Sequence, residues 1–253
     1  MEITFLGTGT SQGVPVITCT CKVCQSQNAK DKRLRSSVLV ETGKNIFVID
    51  AGPDFRQQML RENVKRLDAV LITHGHKDHI GGLDDVRAFN YFQKGPVDVY
   101  AQKNVHDILR SDFFYAFEDD KYPGVPEIEL HTIDNNSFTI KGDLITPIEV
   151  MHYHLPVFGF RIKDFTYITD ANYISEVELE KIKGSKVIVL NALRKKKHIS
   201  HFTLDEAIKI LQQLQPEQAF ITHISHQLGL HEEIEKEIPS FIKLAYDGLK
   251  IEI

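Results

Sequence analysis

Three histidines and a carboxylate fall within six residues of LITHGHKDHIGGL (Leu71–Leu83), at His74, His76, Asp78 and His79. An apolar run, Ala69 to Ile72, leads into them, and Gly81 and Gly82 follow. Neither a core nor a solvated surface requires donors at this density. At a strand end such side chains can converge on one point while the sheet holds their backbones. Nitrogen and oxygen donors of this kind suit Zn, Mn or Fe. Four ligands from one short loop on a single ion would close it to substrate, so a hydrolytic centre needs two ions and further donors from elsewhere. EVMHYHLP offers His152 or His154, YITDAN offers Asp170, and FITHISH offers His223 and His226; each follows an apolar run.

A second cluster has a different chemistry. All three cysteines of the chain lie in CTCKVC, at Cys19, Cys21 and Cys24. A disulfide would leave one thiol over. Three thiolates spaced C-x-C-x-x-C lack one ligand for a tetrahedral structural zinc, and His226, three residues beyond His223, is the natural fourth. A zinc held from both ends of the chain would brace the 19–24 loop and contribute folding energy directly. A redox dithiol and three unrelated buried cysteines are the alternatives.

The elements that must carry these residues are short β-rich runs ending in turn residues. Ile3–Gly7, Ser37–Gly52 (a hairpin turning at Gly43-Lys44-Asn45), Leu67–His74, Asp98–Gln102, the strand-turn-strand Phe158–Asn172, the QAFITH run and the closing LKIEI read as strands. The segment from Pro53, residues 104–117, 203–216 and 231–242 read as helices, the third with Thr203 and Glu206 forming a capping box. FVIDAG (Phe47–Gly52) and YITDAN (Tyr167–Asn172) resemble each other, as two similar β-rich halves packed face to face would. Hairpins interrupt the strand–helix alternation, which predicts an α/β fold of two mixed sheets sandwiched between helices rather than a doubly wound sheet. The 253 residues, 42% hydrophobic and 26% charged, suffice for one domain over residues 1–253. The net charge of −5 makes a nucleic-acid partner unlikely on electrostatic grounds. The one clear basic run, Arg194–His198, reads as a solvated loop. No signal peptide and no membrane-length apolar window are visible, so the expected location is cytoplasmic with no membrane partner.

THGHKDH is the T-H-x-H-x-D-H motif, and with the later His, Asp and His positions the chain resembles the metallo-β-lactamase-fold hydrolases. The resemblance implies a four-layer αββα sandwich. It implies that His74, His76 and His152 hold one metal, that Asp78, His79 and His223 hold the other, and that Asp170 bridges them. His152 is preferred to His154 because it directly follows EVM. FLGTGTSQGVP, the cysteine loop and THISH together look like the phosphoribosyl 1,2-cyclic phosphate phosphodiesterase (PhnP-type) branch; LGTGTSQGVP alone also resembles the tRNA 3′-processing endonucleases.

What this branch implies is a di-metal hydrolase with two divalent ions, Zn or Mn, and one structural zinc. It would cleave a small phosphodiester, a cyclic ribosyl phosphate in the first place, by attack of a hydroxide formed between the ions. Asp78 and His201 stand as catalytic residues, His201 as general acid or phosphate contact with His198 a weaker candidate of the same type. Asp50 would orient ligand histidines from behind. His106, His131 and His231 are expected to do nothing chemical. The relatives are often dimers, so a homodimer is possible. The alternatives are a tRNA 3′-endonuclease, for whose protruding arm there is no room between GGLDDVRAFNYFQKG and PVDVY, and a non-catalytic metal-dependent scaffold or sensor.

Overall fold

The apolar runs pair into two mixed sheets in the computed structural model, which describes residues 1–120 and 122–253. The first sheet is built from β1 (Glu2–Gly7), β2 (Ser37–Glu41), β3 (Ile46–Ile49), β4 (Ala69–Leu71), β5 (Val97–Ala101) and β6 (Ile128–Thr132), with the last strand, β15 (Lys250–Glu252), on the outer side of β1. The second contains β7 (Phe138–Ile140), β8 (Asp143–His152), β9 (Leu155–Ile162), β10 (Phe165–Ile168), β11 (Tyr173–Ile174), β12 (Val187–Asn191), β13 (Gln218–Thr222) and β14 (Ile242–Leu244). Its order is β11-β8-β9-β10-β12-β13-β14, with β7 pairing β8. The helices are α1 (Phe55–Arg61), α2 (Lys77–Ile80), α3 (Arg87–Gln93), α4 (Lys103–Asp112), α5 (Glu176–Ile182), α6 (Leu204–Leu214) and α7 (His231–Glu235).

The period-two alternation of the strands sorts the apolar side chains into layers. Phe47, Ile49, Ala69 and Leu71 face Phe158, Phe160, Tyr167, Val187 and Val189 across the inter-sheet core. Val48 and Val70, one residue out of phase, point the other way onto Phe55, Met59, Phe89 and Leu109 of the helices outside the first sheet. On the second sheet Ile188 and Leu190 pack likewise against Leu179, Leu204, Ala207 and Leu211. The result is a four-layer αββα sandwich. Phe5 and Phe220, with ring centroids 5.4 Å apart, join the two sheets at the centre. Each such fully buried aromatic stabilises the fold by about 2–3 kcal/mol.

Parallel pairing of β3 with β4 and of β10, β12 and β13 with one another brings their C-terminal ends to one edge of each sheet. β8 runs antiparallel to β9 and β9 to β10, so β8 also ends at that edge. The donor-bearing loops all leave from these ends.

Several helix expectations are corrected. Pro53 lies before the N-cap, Asp54, and α1 starts at Phe55. The helix expected over 104–117 stops at Asp112, with a separate 3₁₀ turn at Phe114–Ala116. The one expected over 231–242 ends at Glu235, because Pro239 supplies no amide for a helical bond, and Ile242 turns into β14. The capping box of α6 is present with both of its hydrogen bonds. Among the described residues no helix is long and apolar enough to cross a membrane.

Candidate metal centre

Asp50, the residue after β3, has a left-handed φ of 65°, and Asp170, two residues after β10, has a φ of 58°. The similarity of FVIDAG and YITDAN is therefore a shared backbone corner, one in each sheet. His223, just beyond β13, is left-handed too, with a φ of 54°. L-residues rarely adopt this region without compensation elsewhere, and such strain gathers at functional sites. Two glycines permit the close packing behind the site: a Cβ on Gly52 would lie 2.0 Å from the Asp78 carbonyl oxygen, and one on Gly82 equally close to that of Gly52. These contacts press the start of α2 against the Asp50 corner.

The donors meet in two adjoining groups. Ligand atoms of His74, His76 and His152 lie within 4.8 Å of one another, as do those of Asp78, His79, Asp170 and His223. His74 Nε2 is 2.9 Å from His76 Nδ1. Two ring nitrogens 2.0–2.1 Å from one ion would lie about 2.9–3.4 Å apart in octahedral or tetrahedral geometry. Asp170 lies against two histidines of the second group, with Oδ2 3.1 Å from His79 Nε2 and Oδ1 3.2 Å from His223 Nε2, and its ligand atom is also within 4.8 Å of that of His152 in the first. His79 Nε2 is 3.1 Å from Asp78 as well. Among the described residues, His79 Nε2 and both ring nitrogens of His223 are buried without a hydrogen-bond partner. Buried polar atoms are seldom orphaned, so bare Nε2 atoms of His79 and His223 that both lie against the Asp170 carboxylate fit a cation.

The ring tautomers are fixed from behind. Asp50, fully buried, accepts from His79 Nδ1–H at 2.7 Å and from the Thr73 amide at 2.8 Å. The Thr73 hydroxyl also donates to Asp50, so its oxygen is left to accept from His74 Nδ1–H at 3.0 Å. His152 Nδ1–H donates to the Ser200 carbonyl at 2.9 Å. In each case Nδ1 carries the proton and Nε2 presents a lone pair to the site. Burial, with His79 alongside, pushes the His74 pKa well down and keeps the ring neutral. Burial would raise the carboxylic acid pKa of Asp170, but His223 and His79 outweigh it and hold it well below the usual range. Burial lowers the His79 pKa, but Asp50, Asp170 and Asp78 outweigh it and raise it well above the usual value, so the cleft favours positive charge at His79 Nε2, a charge an ion would supply.

His201 is stacked on His223 with centroids 4.9 Å apart, and its Nε2 is 3.1 Å from Asp170. Its ligand atom also falls within 4.8 Å of those of His152 and Asp170. Burial pushes its pKa down to about 4, so at neutral pH the ring is an uncharged hydrogen-bond donor. His198 Nδ1 is 3.1 Å from His201 Nδ1, and the Ser200 hydroxyl touches both rings. His154 is exposed and packs on Tyr153, apart from the donor groups. His131 pairs with Asp98, His106 approaches Thr132, and His231 meets the buried Arg33, all outside both groups. The basic run is more ordered than a free loop: Arg194 donates to the carbonyls of Lys196 and Lys197.

The cysteine loop returns to the same end of the molecule. His226 Nδ1 lies 3.2, 3.4 and 3.5 Å from the sulfurs of Cys19, Cys21 and Cys24. Zn–S and Zn–N bonds at a tetrahedral angle give a sulfur–nitrogen distance of about 3.6 Å, so the residues fit that ion. The Cys24 amide and then the His226 ring pull the Cys21 thiol down to about 6, against the effect of burial.

Sequence reasoning missed Thr73, Asn172, Asn191 and Ser200. Asn191 braces the Asp170 corner by accepting from the Ala171 amide and donating to its carbonyl. Polar residues closing the apolar runs VIVLN and VLIT are the signal that would have marked two of them.

Residues 45–224 match the family described as beta-lactamase superfamily domain. The chain is 39% identical over 254 residues to a protein named octanoyltransferase from Porphyromonas gingivalis, covering 99% of this chain and 51% of that one. It is 28% identical to ribonuclease Z of Bacillus licheniformis, covering 75% of this chain and 60% of the other. The chain thus spans about half the length of the curated relatives it matches. A solved structure described as a new diphosphatase from the PhnP family superposes with a TM-score of 0.93 at 39% identity, covering all of this chain and 97% of that one.

Proposed function

The chain belongs to the β-lactamase superfamily, and from that premise we propose that it is a hydrolase that uses two divalent ions, Zn or Mn, to cleave a small phosphodiester, a cyclic ribosyl phosphate in the first place. The observation that carries this reading is that Asp170 links the two donor groups, within 4.8 Å of His152 in one and of His79 and His223 in the other, whose buried Nε2 atoms have no hydrogen-bond partner among the described residues. The PhnP-family diphosphatase, alike over the whole chain, supports phosphate chemistry.

In this reading His74, His76 and His152 would hold one ion and Asp78, His79 and His223 the other, with Asp170 available to both. Bound there, the ions would supply positive charge for the phosphoryl oxygens and make water a stronger acid. The remaining work falls to the chain. Asp50 and the Ser200 carbonyl keep three rings in the ligating tautomer. Asp78, at the mouth of the cleft, faces His79 and orients water. His201, an uncharged N–H donor beside Asp170, contacts the phosphate or the departing oxygen. Cys19, Cys21, Cys24 and His226 hold a structural zinc that ties the early loop to the His223 loop.

A tRNA 3′-endonuclease is the second reading, favoured by the ribonuclease Z relatives. The test is turnover by metal-loaded protein of ribosyl cyclic phosphates, 2′,3′-cyclic nucleotides and linear diesters, with metal content measured beside it. Hydrolysis of the cyclic esters supports the proposal. Tight, salt-sensitive tRNA binding with precursor cleavage would replace it with the second reading. A replete site with no turnover of any ester would leave a metal-dependent scaffold.

A further inference from the structure

Tyr153 occupies a place its side chain does not suit. It is the first residue of the two-residue turn between β8 and β9, where His152 pairs with Leu155, and its φ is +58°. Hairpins this tight favour Gly, Asn or Asp where φ is positive, and a bulky residue there is an outlier. No burial compensates, since Tyr153 is 48% exposed, and among the described residues its hydroxyl has no hydrogen-bond partner. The conformation is instead held from the site itself: its amide donates to Asn172 Oδ1 at 2.7 Å, two residues beyond Asp170. The ring is backed by His154, with centroids 3.7 Å apart.

The surroundings are those of a binding lip. Tyr153 follows the candidate ligand His152 directly, about 3.8 Å along the chain. The partner of the His152 hydrogen bond, Ser200, follows Ile199, an apolar side chain left 63% exposed. Tyr173, 57% exposed, pairs with Met151 on the neighbouring strand. Tyr153 and Ile199 are thus exposed one residue from each partner of the bond that orients His152. Aromatic faces at this offset from a phosphate site suit a planar base, which a ribose holds one sugar away from its phosphate.

We propose that Tyr153, backed by His154, is a stacking subsite for the planar base of a nucleoside phosphate ester. This rests on the phosphate-ester reading above for the position of the phosphate; the strained tyrosine and its ring stack are independent of it.

The test uses the full chain loaded with Zn or Mn and two probes, adenosine 3′-monophosphate and methyl ribofuranoside 3-phosphate, which differ only by the base. Calorimetric titration is expected to show the base-bearing probe bound about 10-fold more tightly by the wild type. In Tyr153→Gly that ratio falls to about 1, and in Tyr153→Phe it survives. Glycine suits the turn, so the thermal midpoint of Tyr153→Gly is expected at or above that of the wild type, which separates lost stacking from lost folding. Equal binding of the two probes by the wild type, no binding of either, or a ratio that survives Tyr153→Gly overturns the proposal. Turnover of 2′,3′-cyclic AMP is measured alongside. Base preference in binding, with no turnover of this ester, of ribosyl cyclic phosphates or of linear diesters, supports the subsite and sinks the hydrolase reading. Turnover without base preference sinks the subsite alone.

Discussion

Replacing Asp50 with Asn removes one oxygen from the most heavily used carboxylate behind the metal centre. Oδ1 accepts from the Thr73 amide and hydroxyl, and Oδ2 from His79 Nδ1–H and the same hydroxyl. The single oxygen of Asn is best kept on the Thr73 amide side, which turns its NH₂ group toward His79. His79 then faces a donor at Nδ1, and its proton moves to Nε2, the atom that lies 3.1 Å from both Asp78 and Asp170. The ring can no longer offer a lone pair to the cleft. Losing such an orienting partner lowers metal affinity about 10- to 100-fold, equivalent to about 1.4–2.7 kcal/mol. The assay is metal content after dialysis against graded nitrilotriacetate, with the zinc proposed for Cys19, Cys21, Cys24 and His226 as an internal reference. Asp50→Asn is expected to release active-site metal at lower chelator while that zinc stays. Wild-type affinity in the variant would refute the tautomer argument. Equal loss of both kinds of metal would show general unfolding instead.

Other outcomes follow from the same structure. His226→Ala is expected to lose one zinc per chain and about 2–5 kcal/mol of stability, by analogy with a cross-link spanning 207 residues, seen as a lower urea midpoint; an unchanged midpoint with zinc lost would remove its bracing role. Gly52→Ala places a Cβ 2.0 Å from the Asp78 carbonyl oxygen, and should lose at least about 3 kcal/mol or displace α2, read by thermal midpoint and metal content. Asp247 is raised by burial from 3.8 to about 6. A carboxyl whose folded pKa is raised favours the folded state fully below about 4, and that contribution is lost as pH rises toward 6. It should amount to about 3 kcal/mol between pH 3.5 and 7. Urea unfolding across this range should show that slope in the wild type and lose it in Asp247→Asn; parallel curves would contradict the assignment.

The site was legible in the sequence wherever donors directly follow apolar runs. VLITH, YITD and FITH each announce a strand that ends in a ligand-type residue, and the cysteine spacing announces a missing fourth donor. The capping box of α6 was legible for the same reason, because every atom involved lies within four residues. The β6–β8 strands, α3 and α5 were not read, and the helix from His231 was overextended: short segments take their state from neighbouring elements more than from their own pattern.

What the sequence settled alone was chemistry: which residue types were available, in what local spacing, and that two sheets would carry them. It preferred His152 to His154, two residues away in one stretch, only for its place directly after EVM. The hairpin decided, because a two-residue turn keeps His152 in register opposite Leu155 and throws His154 out to solvent. The left-handed corners at Asp50, Asp170 and His223, and the Ser200 carbonyl that orients a ring 48 residues away, also belong to the tertiary structure. Sequence pattern records preferences over a few residues, whereas convergence of donors depends on strand order and pairing between segments far apart in the chain.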